Sequence, residues 1–204
     1  MAQMGRPRTF DRRAAVEQAM FLFWQQGYES TSLSQLKGAL GGGISAPSFY
    51  AAFGSKEALF REAAQCYLDT YAKVTECLWD DSLAPREAVE LALRQSARMQ
   101  SGAGHPPGCM VALGSMSAPT AEHALVAAPL MASRARTRAG FVRCVERAVA
   151  AGDLPADTDA SALAAVFDGF LSGVSIMARD GVGHAVFDAA ISALMRVWDG
   201  RQAG

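Results

Sequence analysis

The stretch 32–53 constrains the fold most, because two short helical segments there flank three consecutive glycines. Ser32 and Gln35 form a capping-box pattern, in which each side chain accepts a hydrogen bond from a free amide at a helix start. The leucines at positions 33, 36 and 40 repeat at helical spacing, which predicts a short helix with one buried side. Glycine has a low helix propensity and adopts positive φ freely, so Gly41–Gly43 is expected to end this helix.

A second short helix is expected directly after the glycines. Ser45 can cap it, and Ile44 is expected to fill the corner between the two helices. Pro47 is tolerated in a first turn, where amides have no helical partner, and Gly54 is expected to end the helix. Two short helices joined by a tight turn are typical of the helix-turn-helix that reads DNA.

Two runs around this unit resemble the DNA-binding domain of the TetR (tetracycline repressor) family. The runs are Gly27-Tyr28-Glu29-Ser30-Thr31-Ser32-Leu33 and Ile44-Ser45-Ala46-Pro47-Ser48-Phe49-Tyr50-Ala51-Ala52-Phe53-Gly54-Ser55-Lys56-Glu57-Ala58-Leu59-Phe60. Together they place the resemblance over roughly residues 8–60. Family members usually have one glycine between the helices, so Gly42 and Gly43 look like an insertion, and the position of Ala46 is commonly polar or basic.

The resemblance implies a role for individual side chains at DNA. Residues at the start of the first helix would contact the DNA backbone, residues at the start of the second would face bases, and two further residues would hold phosphates. Phosphate contacts position such a protein, whereas base contacts specify the sequence. The residues expected at DNA on this basis are Thr31 and Ser32 (backbone), Ser45, Ala46, Ser48 and Phe49 (recognition helix), and Tyr50 and Lys56 (phosphate).

The first nine residues lack helical periodicity and carry Arg6 and Arg8. A flexible arm beside a helix-turn-helix can place a guanidinium in the minor groove or against phosphate. The alternative is a disordered terminus without contacts. The net charge of −1 argues against a protein that coats nucleic acid by bulk charge, because residues 1–57 hold only six basic against four acidic residues.

Length and composition predict an all-α chain of two domains, with a helix-turn-helix domain over 1–60 and a larger helical domain over 61–204. The chain has 204 residues, of which 50% are hydrophobic and 19% charged, enough for a sizeable core. One continuous helix from Ser55 to about Trp79 is expected to join the domains as a lever. The helices expected beyond it are 88–99, 109–116, 120–151 with a bend near Pro129, a helix from Asp157 or Asp159 to about Arg179, and a last helix ending near Trp198.

Small residues in the second-to-last helix, together with an apolar face on the last helix, predict a subunit interface. They recur every four positions and form a smooth ridge that lets a second helix approach closely, and apolar side chains flank them. The alternative is packing within one subunit, but TetR-like proteins dimerise through a four-helix bundle of these helices, so the resemblance favours a homodimer. The expected interface residues are Ala165, Gly169, Phe170, Gly173, Val174, Met177, Ile191, Leu194 and Trp198.

Flexible and aromatic side chains in the larger domain predict a pocket for a small effector, because methionine adapts to irregular ligand shapes. Few ionisable groups share these faces, so an uncharged apolar or aromatic effector is expected. The alternative for each residue is the ordinary core. The expected ligand-binding residues are Tyr67, Tyr71, Met99, Cys109, Met110, Met116, Phe141 and Phe167.

The four cysteines have no metal-site spacing, so no metal or cofactor is expected, and they are interpreted as small buried side chains in a reducing compartment. A thiol redox sensor is the alternative. The three histidines lie near no carboxylate or nucleophile pattern, and no nucleotide-binding or hydrolase motif occurs, so no catalytic residue is expected.

These observations favour a DNA-binding transcriptional regulator, a repressor that binds a palindromic operator as a dimer and is released by a small molecule. The alternatives are a thiol-based redox regulator and a constitutive DNA-binding protein without an effector. No apolar run is expected to reach the roughly 20 residues of a membrane span, and residues 1–10 lack a signal-peptide core, so a cytoplasmic protein with no membrane partner is expected.

Overall fold

The computed structural model describes the backbone of residues 10–114 and 121–200, and the side chains of 10–114 and 124–200. Arg6, Arg8 and Met116 lie outside the described residues. Every regular element in these ranges is helical, which confirms the all-α prediction. The elements are α1 (Arg12–Gln26), α2 (Leu33–Ala39), a short 3₁₀ turn (Leu40–Gly42), α3 (Ala46–Phe53), α4 (Lys56–Asp69), a 3₁₀ helix (Tyr71–Trp79), α5 (Pro85–Gln100), α6 (Met110–Gly114), α7 (Ala121–Ala151), α8 (Ala160–Arg179) and α9 (His184–Asp199).

Side-chain caps start the helices of the N-terminal unit, as the sequence pattern predicted. The Ser32 hydroxyl accepts from the Gln35 amide while the Gln35 side chain accepts from the Ser32 amide, at 3.2 and 2.7 Å. Ser45 caps α3 and Ser55 caps α4 through the same kind of bond. Free first-turn amides are therefore satisfied without tertiary contacts.

The prediction of one continuous helix over Ser55–Trp79 is wrong, because α4 ends at Asp69. The Thr70 hydroxyl donates to the Cys66 carbonyl at 2.6 Å, and that carbonyl is the acceptor that the Thr70 amide would use in an α-helix. The Thr70 amide instead donates to Tyr67 at 3.2 Å, which is a 3₁₀-type bond. The Thr70 side chain thus competes with the backbone and divides the expected continuous helix into α4 and the 3₁₀ helix.

Two buried clusters hold the chain together. The N-terminal cluster joins α1–α4 and includes side chains of α6 and α7, so the recognition unit rests on the larger domain through Met110, Val111, Val126 and Leu130. The C-terminal cluster joins the 3₁₀ helix with α5, α7, α8 and α9. The expected division near residue 60 falls inside α4 and stays a prediction, as does a bend at Pro129, which lies within α7.

Helix α8 corrects the expectation that no segment could span a membrane. It has 20 residues and a mean hydropathy of 1.6, which suffices by length and composition, and 28% of the apolar window is buried in the protomer. A single helix of this kind is weak evidence for a membrane span. Its exposed apolar side chains include Val166, Ile176 and Met177, and Val186 and Val197 are exposed on the adjacent α9.

The expected interface residues divide into two sets. Val174, Ile191 and Trp198 are at most 1% exposed in the single protomer, so their assignment to an interface is wrong. They lie on the inner faces of α8 and α9, because helical spacing alone did not say which face the core would take. The remaining six are exposed or half-buried, namely Ala165, Gly169, Phe170, Gly173, Met177 and Leu194.

Candidate nucleic-acid interface and ligand cavity

Helix α3 has one buried face and one exposed face. Phe49 and Phe53 are 0% and 4% exposed and anchor it in the N-terminal cluster. Pro47, Ser48, Tyr50 and Ala51 lie on the exposed side. The exposed side can therefore enter a groove while the phenylalanines hold the helix in place.

The glycine turn sets the direction of α3 relative to α2. Gly41, Gly42 and Gly43 have φ of 58°, 81° and 106°, a region that residues with a Cβ rarely adopt. The Ile44 amide donates to the Lys37 carbonyl at 2.9 Å, and the Gly41 amide donates to the Gln18 side chain of α1 at 3.0 Å. The turn is thus closed by its own backbone and tied to the first helix.

Two of the residues expected at DNA are buried, so these assignments are wrong. Phe49 is a core side chain, and Thr31 is 0% exposed with its hydroxyl donating to the Gly27 carbonyl at 2.7 Å. Ser32, Ser45, Ser48 and Tyr50 are exposed and Ala46 and Lys56 half-buried, so these six residues remain candidate contacts. The resemblance assigned roles by position in the motif. Whether a side chain is buried depends instead on how α1 packs over the helix-turn-helix.

Basic side chains near this surface differ in availability. The Arg12 guanidinium is held by two hydrogen bonds to Glu62, at 2.6 and 2.7 Å. The Lys56 amine lies 4.3 Å from the centre of the Tyr28 ring, and burial lowers the pKa of this amine. Arg13 is exposed and forms no ion pair with another described residue, and the half-buried Lys37 likewise forms none. The sequence reasoning did not select Arg13 or Lys37, although their place beside the motif could have indicated them.

A cavity of about 50 Å³ lies where the two clusters meet. Beside it is an outer cleft of about 390 Å³ between α7 and the segment 65–76. The cavity and the cleft share four lining residues, and two of these, Thr75 and Thr137, have hydroxyl oxygens 3.3 Å apart. The cavity and the cleft therefore adjoin at these two side chains.

Most of the surface that lines the cavity is apolar, and a few polar side chains contribute to the wall. Gln100 and Ser175 are at most 2% exposed, and the Ser175 hydroxyl donates to the Gln100 side-chain oxygen at 2.6 Å. Ser96 is 1% exposed, and its hydroxyl has no hydrogen-bond partner among the described residues. Asp168 also lines the cavity and accepts from the exposed Arg138 at 2.9 Å.

Of the residues expected to bind a ligand, Met99 and Cys109 lie on the cavity wall. The other described ones do not line this cavity, so the structure does not support their assignment to it. Tyr67 and Met110 pack in the N-terminal cluster with Tyr71 against them, and Phe141 and Phe167 pack in the C-terminal cluster. Large apolar side chains filled the core, while smaller side chains, apolar and polar, line the remaining space.

The cysteines are weak candidates for a thiol sensor. Burial raises the pKa of each thiol, and for Cys144 the pKa rises to about 11. Cys109 sits on the cavity wall and accepts a hydrogen bond from the Tyr67 hydroxyl at 3.3 Å. The thiolate is the reactive form, so raised pKa values disfavour reaction with oxidants. No cluster of metal-ligating side chains occurs within the described ranges.

The two functional regions meet at Trp24, near the C-terminus of α1. The Trp24 ring stacks on the ring of His105, with centroids 4.8 Å apart and planes 12° apart. Arg179, at the end of α8, donates to the Trp24 carbonyl. His105 lies in the loop between Gln100 and Cys109, two residues of the cavity wall. This Trp24–His105 joint therefore links the cavity to the recognition unit.

Helix α3 is exposed, is capped at its start and follows a glycine turn, and the adjoining helical domain contains a cavity. This is the arrangement of a helix-turn-helix regulator. The family model for bacterial regulatory proteins of the tetR family matches residues 15–63, and a model for a tetracyclin repressor-like C-terminal domain matches residues 89–194. The chain belongs to the TetR family of DNA-binding transcriptional regulators, as the resemblance predicted.

Individual relatives support the same assignment. The chain is 31% identical over 195 residues to the HTH-type transcriptional repressor ComR of Escherichia coli (strain K12), covering 95% of this chain and 91% of ComR. It is 40% identical over 108 residues to the repressor BdcR of the same organism, covering 52% of this chain and 53% of BdcR. A cysteine mutant of the TetR family regulator CifR, solved with 26-bp double-strand operator DNA, is 38% identical with a TM-score of 0.81, covering 95% of this chain and all of that one.

Proposed function

We propose that this protein is a cytoplasmic repressor that binds a palindromic operator as a homodimer and releases it when a small molecule occupies the cavity. The observation that carries the DNA-binding part is α3, whose phenylalanines are buried while Ser48 and Tyr50 face outward. ComR and BdcR are named as repressors, and CifR was solved on operator DNA. Repression follows when such binding blocks a promoter.

The dimer is supported by the apolar surface that α8 and α9 leave exposed. Val166, Ile176 and Val186 are 40%, 51% and 54% exposed, and a Cβ at Gly169 or Gly173 would meet nothing within 4 Å. Large apolar side chains exposed on consecutive helices are typical of a protein–protein contact surface. A two-fold dimer would cover this surface and would explain why an apolar helix such as α8 is only partly buried, without a membrane.

The N-terminal arm and the unpaired cations would supply phosphate contacts. We infer that Arg6 and Arg8 lie against the minor groove or phosphate, and that Arg13 contacts phosphate beside α3. Each lost phosphate contact should reduce the slope of log K against log salt by roughly 0.9. Unchanged affinity and slope in the double variant Arg6→Ala, Arg8→Ala would show that the arm makes no contact.

Ligand response is supported by the Trp24–His105 joint. Gln100 and Cys109 are the two ends of the loop that carries His105. A ligand that displaces either residue would move this loop, and the His105 ring is stacked on Trp24 of the recognition unit. The two sites are then coupled through a contiguous set of packed side chains. A ligand that binds the DNA-free form tenfold more tightly would correspond to about 1.4 kcal/mol of coupling.

The test is a titration of operator binding, with an operator selected from random duplexes, in wild type and His105→Ala. We expect His105→Ala to bind operator and to be stabilised by ligand in thermal unfolding, but to need more ligand for release. His184→Ala is the matched control, because His184 is a partly exposed histidine at the start of α9, paired with Asp188 at 3.2 Å. Equal release from all three proteins would exclude the joint as the coupling route.

The redox alternative predicts a different result. A thiol regulator should release operator when hydrogen peroxide is titrated, and replacing Cys109 by Ser should abolish that release. Because burial raises the pKa of Cys109, we expect peroxide to leave operator binding unchanged at concentrations that do not unfold the protein. A constitutive binder would respond to neither peroxide nor any ligand.

A further inference from the structure

Arg179, the last residue of α8, forms a hydrogen bond to the recognition unit, α1–α4. Its guanidinium donates from Nη2 to the Trp24 carbonyl oxygen at 2.5 Å, across 155 residues of sequence. Trp24 lies in the last turn of α1, where the carbonyls of a helix have no intrahelical donor. A positive side chain is also favourable at the negative end of a helix dipole. The bond therefore joins two helix ends, one from each unit.

The Trp24 carbonyl is a fixed acceptor. Trp24 is 1% exposed, and its ring packs edge to face with Tyr67 at a centroid distance of 4.8 Å. The Tyr71 ring lies 5.0 Å from the Trp24 ring, and the His105 ring stacks on it at 4.8 Å. Because three rings surround this indole, the Trp24 backbone has little freedom relative to the rest of the recognition unit.

The aliphatic part of Arg179 is held from the other side by the loop 101–109. Gly108 in this loop has a φ of 84°, and its amide donates to the Gln100 carbonyl at 2.9 Å. A Cβ at Gly108 would lie 2.7 Å from the Ser175 carbonyl oxygen and 3.4 Å from Cγ of Arg179. The loop thus packs directly on the end of α8, which restricts where the guanidinium can point.

The Arg179 guanidinium forms no ion pair with another described residue, whereas Arg86 and Arg94 each pair with carboxylates. Burial without a carboxylate partner lowers the pKa of Arg179. A charged donor forms a stronger hydrogen bond than a neutral one. Arg179 therefore directs its charge at a backbone carbonyl of the other unit and not at a neighbouring side chain.

The connection between the two units leaves their orientation to contacts of this kind. Helix α4 ends at Asp69 and the chain goes on as a 3₁₀ helix, so one continuous α-helix does not join the units there. Apolar side chains of α6 and α7 hold the units together, but apolar burial has no preferred direction. A hydrogen bond weakens steeply when its angle changes. The Arg179–Trp24 bond therefore adds direction to the junction.

Helix α8 also belongs to the proposed dimer. Its outer face carries Val166, Ile176 and Met177, which are 40%, 51% and 37% exposed. The same helix would thus contact the partner subunit through its outer face and its own recognition unit through its end. In a two-fold dimer, the separation of the two recognition helices sets the half-site spacing of the operator. Any freedom between α8 and α1 becomes freedom in that separation.

We propose that Arg179 is a specificity-determining residue, which holds each recognition unit at a fixed position on α8 and so sets the half-site spacing that the dimer accepts. This assignment rests on the proposed homodimer through α8 and α9. It concerns the choice of operator and is independent of ligand release.

The test measures the operator affinity of the full-length proteins at one salt concentration. The operator selected from random duplexes is compared with two versions, in which one central base pair is inserted or removed. One base pair moves a half-site by about 3.4 Å and turns it by about 35° around the DNA axis. We expect wild type to bind the altered operators at least about tenfold more weakly, and Arg179→Met to reduce this ratio to about threefold or less. Arg179→Met should remain a folded dimer in thermal unfolding and sedimentation.

Arg196→Met is the matched control, because Arg196 is an exposed arginine in the last turn of α9, as Arg179 is in the last turn of α8. Its affinity ratio should equal that of wild type. Arg179→Lys keeps the charge and a donor but not the planar fork, so it should restore part of the ratio. Arg179→Gln has a shorter, uncharged side chain and should behave as Arg179→Met does. It replaces Arg179→Met if that variant does not fold.

A residue that only stabilised the fold would weaken binding to all three operators in parallel and leave the affinity ratio unchanged. A folded, dimeric Arg179→Met or Arg179→Gln protein with the wild-type ratio would therefore overturn the assignment and leave the proposed repressor dimer intact. An equal loss of the ratio in Arg196→Met would also overturn it. A wild-type protein that binds single half-sites as a monomer would contradict the proposed dimer, and the assignment with it.

Discussion

The two buried clusters differ in their share of aromatic rings, with six in the N-terminal cluster and four in the C-terminal one. The N-terminal cluster packs aromatic rings against each other, with Trp24 and Tyr67 edge to face at 4.8 Å and Phe23 and Phe60 at 5.0 Å. The C-terminal cluster contains many alanines, including Ala88, Ala92, Ala97, Ala148, Ala164 and Ala178. Large rings interlock in few ways, whereas small side chains leave room. The N-terminal unit, which reads DNA, therefore has the core with more interlocked rings, and the C-terminal unit has the core with more small side chains.

The largest expected effect comes from removing a ring of the N-terminal unit. Phe49→Ala should cost about 3–5 kcal/mol of stability and abolish operator binding, because a fully buried ring leaves a cavity. Urea denaturation and operator binding measure the two effects. Tyr50→Ala is the control: its ring is 51% exposed, so stability should change by less than about 0.5 kcal/mol while operator binding weakens. Equal destabilisation by both variants would contradict the assignment of faces to α3.

The next effect concerns the outer face of the C-terminal unit. Gly173→Leu should abolish dimers in sedimentation and reduce operator affinity at least tenfold, the equivalent of about 1.4 kcal/mol. The protomer itself has open space there and should gain up to about 1 kcal/mol from the better helix former. Ala150→Leu, on the exposed side of α7, should leave the dimer intact. A dimeric Gly173→Leu protein would place the interface elsewhere.

A smaller effect is expected from the α3 cap. The Ser45 hydroxyl accepts from the Ser48 amide at 3.2 Å, so Ser45→Ala should cost about 0.5–2 kcal/mol in thermal or urea unfolding. Ser34→Ala is the control, because Ser34 is an exposed residue inside α2 and caps no helix. If the two variants unfold alike, tertiary packing and not the cap holds the start of α3.

The smallest effect concerns the ion pairs between α5 and α9. Arg86 donates to both oxygens of Asp199, at 2.6 and 3.0 Å, and these hydrogen bonds lower the pKa of Asp199. A lowered folded-state pKa adds stability above the unfolded value of about 3.9, and this stability is lost as the pH falls through the folded pKa. Arg86→Met should therefore cost less than about 1 kcal/mol at pH 7 and progressively less below about pH 4.

The control for this pH dependence is Arg98→Met, an exposed arginine of α5 with no ion pair to another described residue. Its stability should track wild type from pH 7 to pH 3. If the stability cost of Arg86→Met stays constant over this range, the packing of the Arg86 side chain, and not its charge, stabilises the contact between α5 and α9.

Signals confined to a few neighbouring residues were predicted well. The capping box at Ser32, the cap at Ser45 and the helix end at Gly54 are all as expected, because each depends on a backbone group within four residues. The prediction of a continuous helix to Trp79 was wrong, because the Thr70 hydroxyl competes for a backbone carbonyl, and a hydrophobicity pattern does not register such a bond.

Residues whose role depends on which side of a helix they occupy were predicted less well. The apolar spacing in α8 and α9 identified the right helices but placed Val174, Ile191 and Trp198 on the outer face. For the cavity the sequence selected large side chains, and the structure uses them as core. Its walls come from apolar and polar residues of the 3₁₀ helix, α5, α6, α7 and α8 that have no common pattern in the sequence.

The sequence by itself determined the helix-turn-helix, its caps, its glycine turn and the all-α class, because these follow from short-range hydrogen bonds and glycine's freedom at positive φ. Only the tertiary structure decided that Thr31 and Phe49 are buried, that Trp24 meets His105, and that Ser96 lines a cavity without a partner. Those facts depend on contacts between residues as far apart as α1 and the loop before α6, and such contacts are set by how whole helices pack.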